Sequence, residues 1–435
     1  MPWPIPTPRC ASLLAGIALT ALFLPLGLTV ALAIVLVAVA VSDAWAVRRA
    51  PVIERTVMPV LSLRAPTPVT LLVSSPDSRR LWLRQPSSPA LAADLEGKAV
   101  SVAGGSAVSV QVRDGEAVIT GELVGRSRGG HALPGVACAS IGPLGLARVH
   151  HPGGPSQALR VYPDLVAARM LVTRLRRELA GQTGRVARGA LGLGTDFESV
   201  REYTPDDDIR QLNWRATARL GRPMSNQYRL ERDRDVICLI DAGRLMAAPA
   251  GPRTLLDVAL DAVAVLALAA DELGDRCGAI AFDEDVRVDA APRHRAARRV
   301  LDALLTLEPA AVESDFQRAF HRVGGSRRAL VTVFTDLVDE VAARSLLAAV
   351  PMLARRHVLV VASARDADLE ALAAANAATD LERARALVAQ DVLDARARAA
   401  RLLTRAGATV LEAPATRLGA RCLQAYVEAK SRGRM

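Results

Sequence analysis

The feature that most limits how this chain can fold is an apolar run near its N-terminus. From Ala11 to Val41 the sequence contains no charged residue. One helix over this run would be about 46 Å long, whereas the hydrocarbon core of a bilayer is about 30 Å thick. Pro25 and Gly27 interrupt the run near its middle. The pattern therefore predicts two membrane-spanning helices, roughly residues 10–24 and 28–47, joined by a tight turn.

Arginines flank both ends of this predicted transmembrane hairpin, which takes up residues 1–49. Arg9 precedes the apolar run, and Arg48 and Arg49 follow it. By the positive-inside rule both ends are expected in the cytoplasm, together with the soluble domains. This predicts a two-pass protein of the inner (cytoplasmic) membrane. The alternative is a cleaved signal peptide ending at Ala44-Trp45-Ala46, although the run is longer than the 7–15 residues usual for such a segment.

The charge of the chain indicates an anionic partner surface. Its 435 residues carry a formal net charge of +10. Arginine supplies nearly all of the positive charge, since Lys98 and Lys430 are the only lysines, and acidic residues are interleaved with it. An acidic membrane surface fits this pattern. Nucleic-acid binding would rest on net charge alone, because the sequence has no recognisable nucleic-acid-binding module.

Single cysteines are spread along the chain: Cys10, Cys138, Cys238, Cys277 and Cys422. They have neither the Cys-x-x-Cys spacing of a metal site nor the compact arrangement of a disulfide framework. We therefore expect reduced, packed thiols, which fit a cytoplasmic location.

Short β-rich segments divided by Pro, Gly and Ser follow the apolar run, over residues 50–162. Their spacing predicts a small antiparallel β-sandwich. Asp114-Gly115 is a hairpin signal between two of them. His150 and His151 are adjacent and would face opposite sides of a strand, so they are not expected to hold a metal together. The best-defined segments are Val69–Ser74, Ala99–Ala103, Ala107–Val112 and Ala117–Leu123.

Apolar strands alternate with helices over residues 235–431, after a connecting helix and a charged segment over residues 163–234. The alternation predicts a doubly wound, mostly parallel sheet with helices on both faces, and hence an α/β fold. Thr254 is expected to cap the first long helix, and His294 to lie on the exposed face of a later one. Strands are expected at Val236–Ile240, Cys277–Phe282, Leu330–Phe334, Val358–Ala362 and Thr409–Leu411, and helices at Asp164–Leu179, Thr254–Leu273, Arg295–Leu307, Asp315–Val323, Val341–Leu353, Asp366–Leu403 and Ala415–Ala429.

The charged segment between the connecting helix and the first strand mixes both signs. Residues 176–235 hold 12 Arg against 10 Asp or Glu, and arginine forks suit bidentate pairing with carboxylates. Such a network either holds a docked segment in place, which is a structural role, or forms a recognition face. The structural role is the commoner one for charged clusters. It predicts a partly buried network around Trp214, made of Arg201, Asp208, Arg210 and Arg215.

Fixed spacings in this segment also carry a family resemblance. They are Gly-x-Gly-x-(Asp/Glu)-Phe, Arg-Glu-Tyr-x-Pro, Asp-Asp-x-Arg-x-x-x-Trp, Ala-x-Ala-Arg and Glu-Arg-Asp-x-Asp. The segment resembles the family called domain of unknown function 58, although Asp206 replaces its usual glycine, so a type I turn is expected there. The matching residues are Gly192, Gly194, Asp196, Phe197, Arg201, Glu202, Tyr203, Pro205, Asp207, Asp208, Arg210, Trp214, Arg215, Ala218, Arg219, Glu231 and Arg232. Of these, a partner-binding or structural role is assigned to Arg201, Glu202, Tyr203, Asp207, Asp208, Arg210, Trp214, Arg215, Arg219 and Glu231.

The α/β pattern with aspartates at strand ends is similar to the von Willebrand factor A-like fold. The metal site of that fold uses Asp-x-Ser-x-Ser on the first strand, a threonine from a middle loop and an aspartate from the fourth strand. Asp241 and Asp336 match the two aspartates, whereas Gly243 and Leu245 stand where the serines would be. This implies a degenerate site that holds no cofactor or at most weakly bound Mg²⁺. Ser314 or Asp315 would take the place of the middle-loop threonine of that metal site.

The two aspartates are expected to converge on one edge of the sheet, because both follow apolar strands. Repulsion between two nearby carboxylates without a metal would raise the pKa of one of them.

Two functions from different classes remain. The resemblance implies a non-enzymatic, membrane-anchored interaction protein, whose partners are a MoxR-type AAA+ ATPase and, in some systems, a transglutaminase-like membrane protein. The alternative is a metal-dependent hydrolase that uses Asp241, Asp336 and the acidic run Asp206–Asp208. Phosphate-binding loops and hydrolase motifs are absent from the sequence, so we expect the interaction protein.

Overall fold

The computed structural model describes residues 4–77, 79–102, 105–112, 115–182, 196–204, 209, 212–229, 233–323, 327–337, 343–375 and 379–433. The chain divides into two compact units, Met1–Tyr162 and Pro163–Met435.

Apolar helices begin the first unit: α1 covers Pro8–Thr20 and α2 covers Leu26–Ala46. Among the described residues, α2 is the helix long and apolar enough to cross a membrane, a property that signal sequences share. α1 has 13 residues and would be about 20 Å long, which is shorter than a hydrocarbon core of about 30 Å. Length and composition therefore support one of the two predicted spans.

The remaining elements of the first unit are strands. They form sheets in the order β1-β12-β11-β5-β8-β7, β2-β4-β9-β6 and β10-β13-β3. Leu71 of β4, Leu123 of β9 and Leu83 of β5 belong to one buried apolar cluster, which joins the two larger sheets. The strands are β1 (Pro4–Pro6), β2 (Val52–Val57), β3 (Val60–Ser62), β4 (Pro66–Ser74), β5 (Arg80–Arg84), β6 (Leu91–Leu95), β7 (Lys98–Val102), β8 (Gly105–Gln111), β9 (Glu116–Gly125), β10 (Gly129–Leu133), β11 (Ala137–Ile141), β12 (Ala147–His151) and β13 (Gln157–Tyr162).

The hairpin predicted at Asp114-Gly115 is wrong. β8 pairs with β5 and β7, whereas β9 pairs with β4 and β6. Gly115 has a φ of +90°, which glycine adopts readily, while Asp114 lies outside the described residues. The dipeptide marks a turn, but the sheet that each strand joins is decided by the packing of its apolar face.

A buried carboxylate attaches the end of α2 to the strands of its own unit. Asp43 accepts hydrogen bonds from the backbone N–H groups of Leu144 (2.8 Å), Leu146 (2.8 Å) and Ala147 (3.0 Å). Gly142 passes so close that a Cβ there would lie 2.2 Å from the carboxylate. The last turn of α2 is therefore fixed to the loop between β11 and β12.

The second unit is built on a sheet of order β20-β19-β16-β21-β22-β23. The five strands β19, β16, β21, β22 and β23 run parallel to their neighbours, and the edge strand β20 is antiparallel to β19. This confirms the predicted α/β class with a mostly parallel sheet. The strands are β14 (Asp196–Glu202), β15 (Met224–Arg229), β16 (Asp235–Asp241), β17 (Pro249–Ala250), β18 (Arg253–Thr254), β19 (Arg276–Phe282), β20 (Val286–His294), β21 (Ala329–Phe334), β22 (Val358–Arg365) and β23 (Thr409–Pro414).

Helices cover this sheet, and α5 is the most deeply buried of them in the part of the chain that the structure describes. Thr254 caps α5 as predicted and forms a capping box with Asp257, while Gly274 ends the helix with a φ of 73°. The helices are α3 (Leu165–Gln182), α4 (Trp214–Leu220), α5 (Leu255–Leu273), α6 (Ala297–Leu304), α7 (Phe316–Val323), α8 (Arg344–Ala354), α9 (Ala367–Ala374), α10 (Asp380–Arg405) and α11 (Leu418–Ser431).

The prediction that His294 lies on a helix is wrong, because it ends β20. This strand alternates half-buried Val286 and Val288 with exposed Arg287 and Asp289. An edge strand that is polar on one side gives a weaker sequence signal for a strand than a continuous apolar strand does. The single helix expected over Asp366–Leu403 is present as α9 and α10, and the residues between 375 and 379 lie outside the described ones.

His357 lies directly before β22 and is buried, and its burial is not offset by a hydrogen bond among the described residues. The His357 residue is 5% exposed, and neither of its ring nitrogens has a hydrogen-bond partner among the described residues. Burial lowers the pKa of His357, and Arg356 and Arg328 lower it further, while Asp235 acts in the opposite direction. The folded unit therefore favours the neutral ring.

Replacing His357 with leucine is expected to reduce the acid sensitivity of the fold. An unfolded histidine has a pKa of about 6.5, and the folded value lies below it. As the pH falls below about 6.5, the unfolded chain binds a proton that the folded chain does not, so the free energy of unfolding decreases until the folded pKa is reached. Urea unfolding at about pH 7.5 and about pH 5.5 measures this difference. The exposed His321→Gln variant should keep the wild-type difference, and an unchanged difference in His357→Leu would contradict the assignment.

Candidate functional site

The candidate site lies where the two central strands of the second unit end. β16 and β21 are adjacent and parallel, with Ile240 opposite Phe334. Their carboxyl ends therefore bring Asp241 close to Asp336, as the sequence predicted, and also to Thr335. All three residues are buried, at 2%, 3% and 8% exposure.

Asp241 is fully engaged by neighbouring donors. Its Oδ1 accepts hydrogen bonds from the Ser314 hydroxyl (2.5 Å) and the Gly243 backbone N–H (2.8 Å), and its Oδ2 accepts one from the Thr335 hydroxyl (2.6 Å). Burial raises the pKa of Asp241, and these hydrogen bonds lower it. Ser314 is thus the loop residue that reaches the site, whereas Asp315 caps α7 by accepting from the Arg318 backbone N–H (3.0 Å).

Asp336 is paired with an arginine from α10. Nη2 of Arg396 donates to both carboxylate oxygens, at 2.7 and 2.8 Å. The Leu337 backbone N–H (2.9 Å) and the Ser363 hydroxyl (3.3 Å) also donate to Oδ1. The side chains of Arg396 and Asp336 are 12% and 4% exposed, so this is a buried ion pair.

The expected cause of the pKa shifts needs correction. Burial is the largest cause for both Asp241 and Asp336, and it raises the pKa of each. Repulsion from Asp336 contributes least to the shift of Asp241, because Arg396 neutralises Asp336 and lowers the pKa of that carboxyl. Desolvation therefore outweighs carboxylate repulsion at this site.

Gly243 replaces a serine hydroxyl of the implied metal motif for a steric reason. A Cβ at this position would lie 2.3 Å from Ser314 Oγ and 2.8 Å from the Val312 carbonyl oxygen. No side chain fits there without moving the loop that carries Ser314. The second replacement, Leu245, is half-buried in a short 3₁₀ helix over Arg244–Ala247.

A divalent cation does not fit the residues that are present. The oxygens of Asp241 accept from two hydroxyls and an amide, and both oxygens of Asp336 face a guanidinium. A cation would have to displace Arg396, whose charge repels it. Among the described residues there is no group of three or more His, Cys, Asp or Glu side chains placed to hold a metal. The cavity beside Asp241, with a volume of about 20 Å³, has room for little more than one water molecule.

Sequence reasoning missed three residues of this site: Arg396, Thr335 and Ser363. Arg396 lies on an Ala- and Arg-rich helix, where nothing in the spacing separates it from its arginine neighbours. Thr335 precedes Asp336, and a hydroxyl beside a strand-end aspartate is the signal that could have identified it.

The signature segment forms a ribbon and a short helix. β14 pairs with β15, and α4 is capped by the Asn213 side chain and ended by Gly221 with a φ of 69°. Arg201 and Tyr203 are half-buried, and Glu202 forms an exposed ion pair with Arg222 at 3.4 Å. The remaining predicted residues Asp207, Asp208, Arg210 and Glu231 lie outside the described residues, as does Asp206.

The prediction that this segment is partly buried is wrong for α4. Trp214 is 71% exposed, and Arg215 and Arg219 are exposed with it. Ile209 and Leu220 are also exposed, at 70% and 54%. Helix α4 therefore presents an aromatic ring between arginines and aliphatic side chains, which has the composition of a recognition face.

Replacing Arg396 with methionine is expected to destabilise the protein by about 3–5 kcal/mol, because it leaves the buried Asp336 carboxylate without its counter-charge. Arg401→Met is the matched control, since Arg401 is exposed on the same helix and its loss should change the free energy of unfolding by at most about 0.5 kcal/mol. Adding Asp336→Asn to Arg396→Met should recover much of the loss. Urea unfolding of the four proteins measures these values, and equal effects of the two single variants would refute a buried pair.

Two solved structures are each similar to about a quarter of the chain. One is described as "Cohesin module from Clostridium perfringens ATCC13124 family 33 glycoside hydrolase", with 11% identity over 26% of this chain and 96% of that chain and a TM-score of 0.21. Another is "Structure of the sulfur carrier protein SoxY from Chlorobium limicola f thiosulfatophilum", with 15% identity over 28% and 97% of the two chains and a TM-score of 0.15. Likeness at these TM-scores supports no conclusion about fold or function. No curated protein matches the chain.

A family model described as "Protein of unknown function DUF58" matches residues 199–406. The match begins in β14 and extends just past the end of α10, so it includes Trp214, Asp241, Asp336 and Arg396. The resemblance carried by the signature residues is thereby confirmed, and residues 199–406 of the chain match the DUF58 family model.

Proposed function

We propose that this protein is a membrane-anchored, non-enzymatic interaction protein, whose second unit is a von Willebrand factor A-like domain that binds a protein partner. The strand order β20-β19-β16-β21-β22-β23, with an antiparallel edge strand, supports the A-like assignment. The observation that carries the proposal is the Arg396–Asp336 pair. It fills the strand-end site with a cation from the protein itself, and so argues against a catalytic centre there.

The chemistry of the site argues against the hydrolase alternative. A hydrolase needs a base or nucleophile held within reach of substrate. At this site Asp241 accepts hydrogen bonds on both oxygens, and Asp336 is occupied by Arg396. Neither carboxylate is available to take a proton from a substrate or from water. The cavity beside them has a volume of about 20 Å³, which is room for about one water molecule.

The partner we propose is a MoxR-type AAA+ ATPase, as the family resemblance implies, with a transglutaminase-like membrane protein in some systems. Helix α4 is the contact surface, because exposed Trp and Arg dominate binding energy at protein interfaces. Helix α2 anchors the protein in the inner membrane. We further propose that α1 crosses the membrane with α2 as a hairpin, so that Arg9 before α1 and Arg48 after α2 lie on the cytoplasmic side together with the soluble domains.

Replacing Trp214 with alanine is expected to weaken partner binding about 30-fold, the effect of a hot-spot residue worth at least 2 kcal/mol. The full chain is purified from detergent-solubilised membranes, and bound ATPases are quantified by mass spectrometry. Met352→Ala is the control, because Met352 is also an exposed apolar side chain, at 41%, but lies on α8. Its capture of the ATPase should equal that of the wild type.

Two outcomes would overturn the proposal. One is equal capture by the wild type and Trp214→Ala, which would exclude α4 as the contact surface. The other is tight Mg²⁺ or Mn²⁺ binding by the full chain, measured by calorimetry and abolished in Asp241→Asn. That result would favour the metal-dependent hydrolase instead.

A further inference from the structure

A second site is present in the first unit, far from the strand-end aspartates in sequence. A cavity of about 540 Å³ opens where the start of α1 and the end of α2 meet the strands of the same unit. Thr7, Pro8 and Arg9 line it from α1, and Ala46 and Val47 from α2. A volume of this size is in the range of small-ligand pockets.

The charges that line this cavity are mainly positive. Arg9, Arg79 and Arg80 contribute three guanidinium groups, and Asp77 is the acidic lining residue in the described part of the chain. Asp77 pairs with Arg79 at 3.2 Å. Arg9 and Arg80 are exposed, so their charges are available to a ligand.

Arg79 is held in place as a buried cation. The residue is 4% exposed, and its Nη1 donates to the Arg49 carbonyl oxygen at 2.7 Å. Its Nε is buried without a hydrogen-bond partner among the described residues. A buried guanidinium in fixed hydrogen bonds keeps its position, so Arg79 adds a fixed positive charge to the cavity wall.

The surroundings of the cavity match the headgroup level of a bilayer. Helix α2 is apolar up to its last turn, and the exposed Trp45 stacks under Arg48, whose guanidinium lies 3.7 Å from the ring centroid. Trp and Arg at the end of an apolar helix are typical of the membrane–water interface. Val47 and Trp82 add apolar surface to the cavity wall, which a free inorganic anion would not use.

We propose that this cavity binds the phosphate headgroup of an anionic phospholipid, with the exposed Arg9 and Arg80 as its ligands and the buried Arg79 as a fixed positive charge behind them. Arginine forks bind phosphate oxygens bidentately, and basic pockets beside membrane helices bind anionic headgroups. The excess of guanidinium groups over carboxylates favours an anionic lipid over a zwitterionic one. This proposal rests on the membrane anchoring proposed above for α2, but not on the ATPase partner.

The test is native mass spectrometry of the detergent-solubilised full chain with added phosphatidylglycerol, phosphatidylcholine or inorganic phosphate. The wild type should retain phosphatidylglycerol in preference to phosphatidylcholine. The double variant Arg9→Gln/Arg80→Gln changes two exposed residues and should lower the affinity for phosphatidylglycerol about 30-fold. Arg84→Gln is the matched control, because Arg84 is on the same strand as Arg80 and outside the cavity, and it should bind like the wild type.

Three results would overturn the proposal. They are equal retention of both lipids, unchanged affinity in the double variant, and binding of inorganic phosphate as tight as that of phosphatidylglycerol. If the double variant loses its wild-type circular dichroism spectrum, the single variant Arg80→Gln replaces it with an expected loss of about fivefold. Alkaline extraction of membranes tests the anchoring separately, since lipid selectivity is measured in detergent.

Discussion

The buried pair between Arg396 and Asp336 decides what the strand-end face of the second unit can do. Asp336 follows β21 at the centre of the sheet, where a carboxylate without a counter-charge would be strongly destabilising. The counter-charge comes from α10, sixty residues later in the sequence. Buried Ala399 and Leu403 hold that half of α10 on the sheet. A guanidinium is thus the cation that faces Asp336 at this site.

Close packing around Asp241 leads to the same conclusion by a different route. Gly243 has no space for a side chain, because Ser314 and the Val312 carbonyl fill the position. The Ser314 and Thr335 hydroxyls reach Asp241 instead. Hydroxyl groups are therefore present at the site, but they satisfy the carboxylate directly.

In the first unit, polar groups fix an apolar helix to a β-structure. Asp43 accepts hydrogen bonds from three backbone N–H groups between the end of β11 and the start of β12, and Arg79 donates hydrogen bonds to backbone carbonyl oxygens that follow α2. Both charged groups are buried, so each is costly unless these contacts are kept. The end of α2 is consequently held rigidly, and the cavity beside it has preformed walls. Preformed walls would reduce the ordering cost of the proposed lipid binding.

The sequence by itself determined the class of each region. Continuous apolar strands at Val236 and Leu330, the capped helix after Thr254 and the apolar segment before Arg48 follow from periodicity and composition, because burial on both faces or in lipid leaves a strong local signal. The signature spacings also carried the resemblance to the DUF58 family model. Tertiary structure decided the contacts: the separate sheets of β8 and β9, the edge strand that ends at His294, the exposure of Trp214 and the choice of Arg396 among many arginines. These depend on which surfaces meet in space, and sequence spacing does not encode such long-range pairing.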